Sequence, residues 1–313
     1  MNSSEQFLLS QAQPLTVSAA GKSPVLNEVE GKVEIKAGKY TVTIDKATGY
    51  LSGYHDGSAQ LVAAPFAPNF WRAELDNDWR GWKPAHYMGY WKTAADYLCS
   101  KESDTKIEVS VDGQVALVKV SKDIHDGKAA LGLTYSVYPD GKVNVSYDLK
   151  IDQKTLEPLR VGLQGEISRA YDNISYYGRG PQENYSDRYE GVFLGTWKSS
   201  VEDMMVQYVY PQENGNHTGV RWISMTDAKG KGLKVVGHQP LSVSVWNTTQ
   251  KELDASRHIG EAAVLDKTFT LNIDLVQAGV GGTDTWSQRA RPYDPYRLMD
   301  KEYSYGFWII PLK

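Results

Sequence analysis

From Lys32 onward, apolar and polar residues alternate with a period of two. Val33 and Ile35 stand between charged residues, and Tyr40, Val42 and Ile44 repeat the pattern before an Ala47-Thr48-Gly49 turn. Successive side chains of a strand point to opposite faces, so these runs predict half-buried antiparallel sheet. The pattern returns at Ile107, Val109 and Val111, at Val115 and Leu117, and over Val143, Val145, Tyr147, Leu149 and Ile151. Asp112-Gly113, Asp126-Gly127 and Asp140-Gly141 punctuate these runs. Asp-Gly is a hairpin signal because both central positions of the tight turn need positive φ. Further strands are expected over Leu159–Ile167, Ile174–Tyr177, Val192–Trp197, Met205–Tyr210, Val220–Met225, Leu233–Val236, Leu241–Val245, Phe269–Leu275 and Tyr303–Ile309. Helix is sparse. The best candidate is Thr249–His258, with Thr248 or Thr249 as its cap and Leu253 facing inward. About fifteen strands with little helix make an all-β chain that buries its core as a large antiparallel β-sandwich.

Composition narrows the function classes. The chain has 313 residues, a formal net charge of −4 and 41% hydrophobic residues, enough for a substantial core. Mild acidity gives no reason to expect nucleic acid or an anionic membrane as partner. No run approaches the roughly 18 apolar residues of a membrane span, and no basic-then-apolar leader opens the chain. Cys99 is the single cysteine, so no intrachain disulfide forms, and cytoplasm and periplasm both remain open. The six histidines show neither HxxxH nor HExxH spacing, which argues against zinc, and no phosphate-binding glycine loop precedes a helix. Nine Trp and twenty Tyr against six Phe suit surfaces that stack on sugars, and equally suit an ordinary sheet.

Candidate chemistry gathers in loops. In Tyr176–Arg188, Gly178, Gly180 and Pro181 are expected to fix unusual backbone angles, and Gln182, Glu183, Asn184, Asp187 and Arg188 follow in dense order. A strand that breaks into such a turn positions something, whether a ligand or only its own fold. Pro181-Gln182-Glu183-Asn184 recurs as Pro211-Gln212-Glu213-Asn214, followed by Gly215. Glu183 and Glu213 are each expected to accept backbone N–H bonds in their own loops rather than to act as a catalytic pair. Asp76, Asn77 and Asp78 form an acidic loop that reads as a self-capping turn or as hard oxygen ligands for calcium, although EF-hand spacing is missing. Trp286 follows Gly281-Gly282-Thr283-Asp284-Thr285, a flexible turn that either projects the indole outward or folds over it.

These segments together resemble the C-terminal domain of the family 2 β-galactosidases. Gly178 to Arg188 is similar to its G-x-G-P-x-E-N-Y-x-D-R stretch, and Phe70 to Asp78 to its F-x-R-A-P-x-D-N-D loop. Tyr208 to Gly215 is similar to its Y-x-x-P-x-E-N-G turn, and Gly279 to Trp286 to its G-x-G-G-x-D-S-W loop. Glu74 stands where that family usually has proline, and Thr285 where it has serine. The resemblance runs from about residue 25 to the end and implies one supersandwich domain of the galactose-mutarotase-like class over 25–313. Residues 1–24, which include a strand-like Glu5–Leu9, are then a tail or linker from the end of a preceding domain. It further implies that hydrolysis of terminal β-D-galactosides belongs to two glutamates on a (β/α)8 barrel absent from this chain. Full-length members often carry magnesium and sodium or potassium in that barrel and form homo-oligomers, whereas this chain is expected to need no cofactor and to be inactive alone. The resemblance gives Trp286 a sugar-binding role in the barrel's pocket and puts Asp76, Asn77, Asp78 and Asp284 at its rim. The motif residues Gly178, Gly180, Pro181, Glu183, Asn184, Arg188, Glu213, Asn214 and Gly215 hold the loops. A free-standing carbohydrate-binding module and a sugar mutarotase, the latter with His217 facing a carboxylate, are the alternatives.

Overall fold

The computed structural model describes residue 6 and residues 21–94 and 105–313. Cys99 and most of the expected tail lie outside the described residues. Among the described residues, sixteen strands form a single antiparallel sheet. The first five are β1 (Val25–Val29), β2 (Lys32–Ala37), β3 (Tyr40–Asp45), β4 (Leu51–His55) and β5 (Gln60–Asn69). A meander follows: β6 (Thr105–Asp112), β7 (Val115–Ile124), β8 (Ala129–Val137) and β9 (Val143–Ile151). The remainder are β10 (Arg160–Ser168), β11 (Asn173–Gly180), β12 (Phe193–Ser199), β13 (His217–Thr226), β14 (Gly232–Trp246), β15 (Thr268–Gln277) and β16 (Glu302–Leu312). The main path runs β1-β2-β3-β4-β5-β10-β15-β14-β16-β9-β8-β7-β6, and β12-β11-β13 branches from β14.

The expected two layers are the two arms of this one sheet, curled so that its apolar faces meet. Val33, Ile35, Val42 and Ile44 on one arm and Val118, Leu133, Val145 and Leu149 on the other all lie in one buried core. Lys122 reaches across to donate to the Thr48 carbonyl at 2.6 Å, and Tyr305 donates to the Ile273 carbonyl at 2.8 Å. Non-polar burial of this kind supplies the main driving force for the fold.

β14 joins the arms. Its first part, Gly232–Gly237, pairs with β16, and its last part, Ser242–Trp246, pairs with β15. The two expected strands Leu233–Val236 and Leu241–Val245 are therefore one strand. Pro240 falls where β14 changes neighbours, so its missing N–H interrupts neither ladder.

Three other expectations are corrected. Met205–Tyr210 forms no strand: Val206 N–H donates to the Asn214 side chain at 3.2 Å, Tyr208 N–H to the Val206 carbonyl at 3.0 Å, and Val209 is exposed. Local side-chain capping there outcompetes a ladder. Of the three Asp-Gly turns, only Asp126-Gly127 has both residues at positive φ; at the other two the glycine alone does. The helix is shorter than expected, Gln250–Ala255, capped by the Thr249 hydroxyl accepting from Glu252 N–H, with Leu253 buried.

Candidate functional site

Four loops meet at one end of the sheet, and two buried arginines organise them. Arg72 is fully buried just beyond β5. Its Nε and Nη2 lie 3.2 Å from the two Asp78 oxygens, a fork-to-fork pair. Its Nη1 donates to the carbonyls of Ala278 and Gly279 at 2.8 and 2.9 Å, which ties the acidic loop to the glycine-rich one. Asp78 also accepts from the Trp82 indole at 2.8 Å and from Leu75 N–H at 3.0 Å, so its oxygens are committed to protein donors. Asn77 donates to the Val280 carbonyl at 3.2 Å, and Asp76 sits half-exposed with Arg80. Glu74 is half-buried near Lys92 and Asp254. Burial first, and then the Asp254 charge, raise its pKa. Trp82 and Trp91, which follow this loop, belong to the core, whereas Tyr87 is exposed.

The glycine-rich loop is held tightly. Asp187 accepts from the N–H groups of Val280 and Gly281 at 3.0 and 2.7 Å. A Cβ on Gly279 would stand 2.5 Å from the Asp187 carboxylate, and one on Gly282 would stand 2.2 Å from the Ala290 carbonyl. These glycines serve close approach, not the flexibility expected of them. The same holds at Gly178 and Gly180, whose Cβ positions would meet Val220 at 2.7 Å and the Tyr176 hydroxyl at 2.3 Å; neither has positive φ. Asp284 then builds a tight turn, accepting from Trp286 N–H at 3.1 Å and from Ser287 through both its N–H at 2.9 Å and its hydroxyl at 2.6 Å. The Ser287 hydroxyl, first, and these amides lower the Asp284 pKa. Beyond this turn the Trp286 side chain is 77% exposed.

The repeated tetrapeptides fold alike and then diverge. In each, the asparagine Nδ2 donates to the glutamine carbonyl two residues earlier at 2.9 Å: Asn184 to Gln182, and Asn214 to Gln212. Asn184 N–H donates to the Asn216 carbonyl, which locks the two loops together. Gly215, at positive φ, supplies the turn. Glu183 accepts from Gly215 N–H at 2.7 Å, from Arg188 and from Tyr208, so its backbone partner comes from the other loop rather than its own. Among the described residues, Glu213 accepts no backbone N–H. It is fully buried on Arg160 Nη2 at 2.5 Å and takes a second bond from Gln277 Nε2 at 3.2 Å. The expectation of own-loop capping is corrected at both positions. It failed because the partners are remote in sequence.

Arg160 is the second hub. Its Nε lies 3.2 Å from Asp274, and its Nη1 donates to Gln250 at 3.2 Å. One guanidinium thus faces two carboxyls in the interior. Burial raises the Glu213 pKa against the opposing pull of Arg160. Asp274, with no hydrogen-bond donor on either oxygen among the described residues, is pushed by burial up to about 7. Gly162 makes room for it, since a Cβ there would stand 1.8 Å from Asp274 Oδ1. No sequence signal marked Arg160 or Asp274; only the sheet register brings them together. His217 is stacked on Tyr176 at 4.8 Å and 1% exposed, and burial lowers its pKa to about 4. It lies inside the core and presents neither ring nitrogen to solvent.

The loops enclose a cavity of about 230 Å³ whose wall includes Asp76, Asn77, Arg188, Tyr208, Glu213 and Thr285. Trp286 follows Thr285 directly in the chain. All four motif segments, remote from one another in sequence, therefore line one concavity beside an exposed indole.

Residues 36–309 match the family described as beta galactosidase small chain. A β-galactosidase of Priestia megaterium is 32% identical over 312 residues, 98% of this chain and 29% of its own length. A β-galactosidase of Halalkalibacterium halodurans is 33% identical, covering 91% of this chain and 28% of its own length. Among solved structures, a TPR-domain-containing protein of Parabacteroides distasonis shares the fold at a TM-score of 0.52 and 9% identity, over 90% of this chain and 47% of its own. A galactose 1-epimerase of Lactobacillus acidophilus NCFM is similar at a TM-score of 0.49 and 9% identity, over 92% of this chain and 97% of its own. The chain spans less than a third of the length of the curated relatives it matches. With the family pattern matched along nearly its whole length, the chain belongs to the β-galactosidase small-chain family.

Proposed function

We propose that this chain completes the substrate pocket of a β-galactosidase acting on terminal β-D-galactosides, while the hydrolytic glutamates reside on a separate barrel. The observation that carries this reading is the presentation of Trp286: an indole 77% exposed, on a loop fastened by Asp187, Asp284 and Arg72. Holding a large aromatic in water costs hydrophobic free energy, and an anchored loop limits the entropy lost when the indole meets a partner. An indole face stacks on the C–H face of a pyranose. The role is binding and orientation, with no proton transfer. Asp76, Asn77, Asp78 and Asp284 shape the rim, and Glu183, Asn184, Arg188, Glu213, Asn214 and Gly215 hold the loops beneath it.

The test follows hydrolysis of a chromogenic β-galactoside by the chain alone and after addition of the matching barrel-containing fragment. Activity is expected only in the mixture. Trp286→Ala is expected to lower kcat/KM there by about tenfold or more, or 1.4 kcal/mol. Hydrolysis by the chain alone would overturn the reading. Exposed Tyr293 and Tyr296, which follow Trp286 in the chain, also favour a second reading, a carbohydrate-binding module. Galactose binding by the chain with no effect on the barrel fragment would support that one instead.

A further inference from the structure

We infer that a second pocket, separate from the cavity beside Trp286, binds a neutral polyhydroxylated molecule of about monosaccharide size. The pocket measures about 250 Å³ and opens between the ends of β11, β13 and β15 and the middle of β14, with Arg179, Ser186, Tyr189, Ser242, Leu275 and Gln277 in its wall. Among the described residues, two buried polar atoms on this wall have no protein partner: Ser186 Oγ and Gln277 Oε1. Gln277 is 3% exposed, and its amide orientation is fixed because Nε2 donates to Glu213 at 3.2 Å and to Asn216 at 3.0 Å. The carbonyl end of the amide is left as a free acceptor. The Arg179 guanidinium stands 4.4 Å over the Tyr189 ring and, among the described residues, donates to no protein acceptor. Buried polar groups in folded proteins find partners, so unpaired ones on a pocket wall call for a ligand.

The mixture of groups selects the ligand class. An anion would suit Arg179 but oppose the Gln277 carbonyl, and a cation would be repelled by Arg179. A hydroxyl both donates and accepts, so a polyol satisfies the Gln277 acceptor, the Ser186 hydroxyl and the Arg179 donors together. Leu241, Leu275 and Val276 add an apolar strip for C–H groups. Gln277 also bonds Glu213, which lines the first cavity, so the two pockets share one buried hydrogen-bond chain. This inference does not depend on the role given to Trp286.

The experiment titrates the chain with D-galactose, D-glucose and myo-inositol, using saturation-transfer NMR and calorimetry. At least one is expected to bind saturably in the millimolar range. Ser186→Leu, which fills the pocket, is expected to weaken that binding tenfold or more. Arg179→Met, a change on a half-exposed side chain, is expected to weaken it several-fold with an unchanged circular-dichroism spectrum. No saturable binding of any of the three overturns the inference. So does binding that survives Arg179→Met and, where that variant folds, Ser186→Leu. Binding abolished by Trp286→Ala overturns it as well, because the sugar would then sit on the exposed loop.

Discussion

Arg72 and Arg160 are both fully buried, yet their surroundings differ in charge balance. Arg72 meets one carboxylate in a two-point pair and two carbonyls, so every strong contact it makes is charge-assisted. Removing one member of such a pair strands the other in the interior. Arg72→Ala is therefore expected to cost on the order of 3–5 kcal/mol, read as a fall in the urea midpoint. Arg160 meets two carboxyls, and Asp274 retains its proton up to about pH 7. Its folded pKa lies above the unfolded value of 3.8, so the folded state binds the extra proton, and the stability this group confers falls as pH rises from about 4 to 7. Asp274→Asn removes that slope. Measured by urea unfolding, the variant should gain on the parent across this window, by on the order of 1–3 kcal/mol at its upper end. A constant difference between the two proteins would show that Asp274 does not titrate there.

At the scale of elements, the loop Gly279–Trp286 is anchored from a distance. Asp187 takes two of its amides, so Asp187→Ala should speed hydrogen exchange at Val280 and Gly281 while leaving the amides of β8 protected. Equal exchange in both proteins would mean that Arg72, Asn77 and Asp284 hold the loop without Asp187. Most strands are legible from period two alone, and β8 carries the same alternation at Leu131, Leu133, Tyr135 and Val137. β5 is not: Ala63, Ala64, Pro65, Ala67 and Pro68 read against a strand, and pairing to β10 imposes one. The four motif segments are visible in sequence as turns rich in Gly, Asn and Asp. Their mutual contacts are not, because Arg72 finds Ala278 and Glu183 finds Gly215 only after the sheet has folded. Glycines were legible as constraints but misread as to kind. Crowding by Val220 or Asp187 leaves no mark in local sequence.

At the scale of the molecule, the sheet closes through pairings remote in sequence, such as β9 with β16 and β5 with β10. Loop-closure entropy must be overcome before these contacts form. Refolding after dilution from urea is thus expected to be slower than about a millisecond; a single faster phase in stopped-flow fluorescence would contradict this. β14 belongs to both arms, and this has a mechanical consequence. Side chains packed face to face can slide, but a strand hydrogen-bonded into both layers transmits tension through covalent bonds. Shear between the arms therefore pulls on the backbone around Pro240, and a load applied to the end carrying Trp286 is passed to the far meander along one taut peptide.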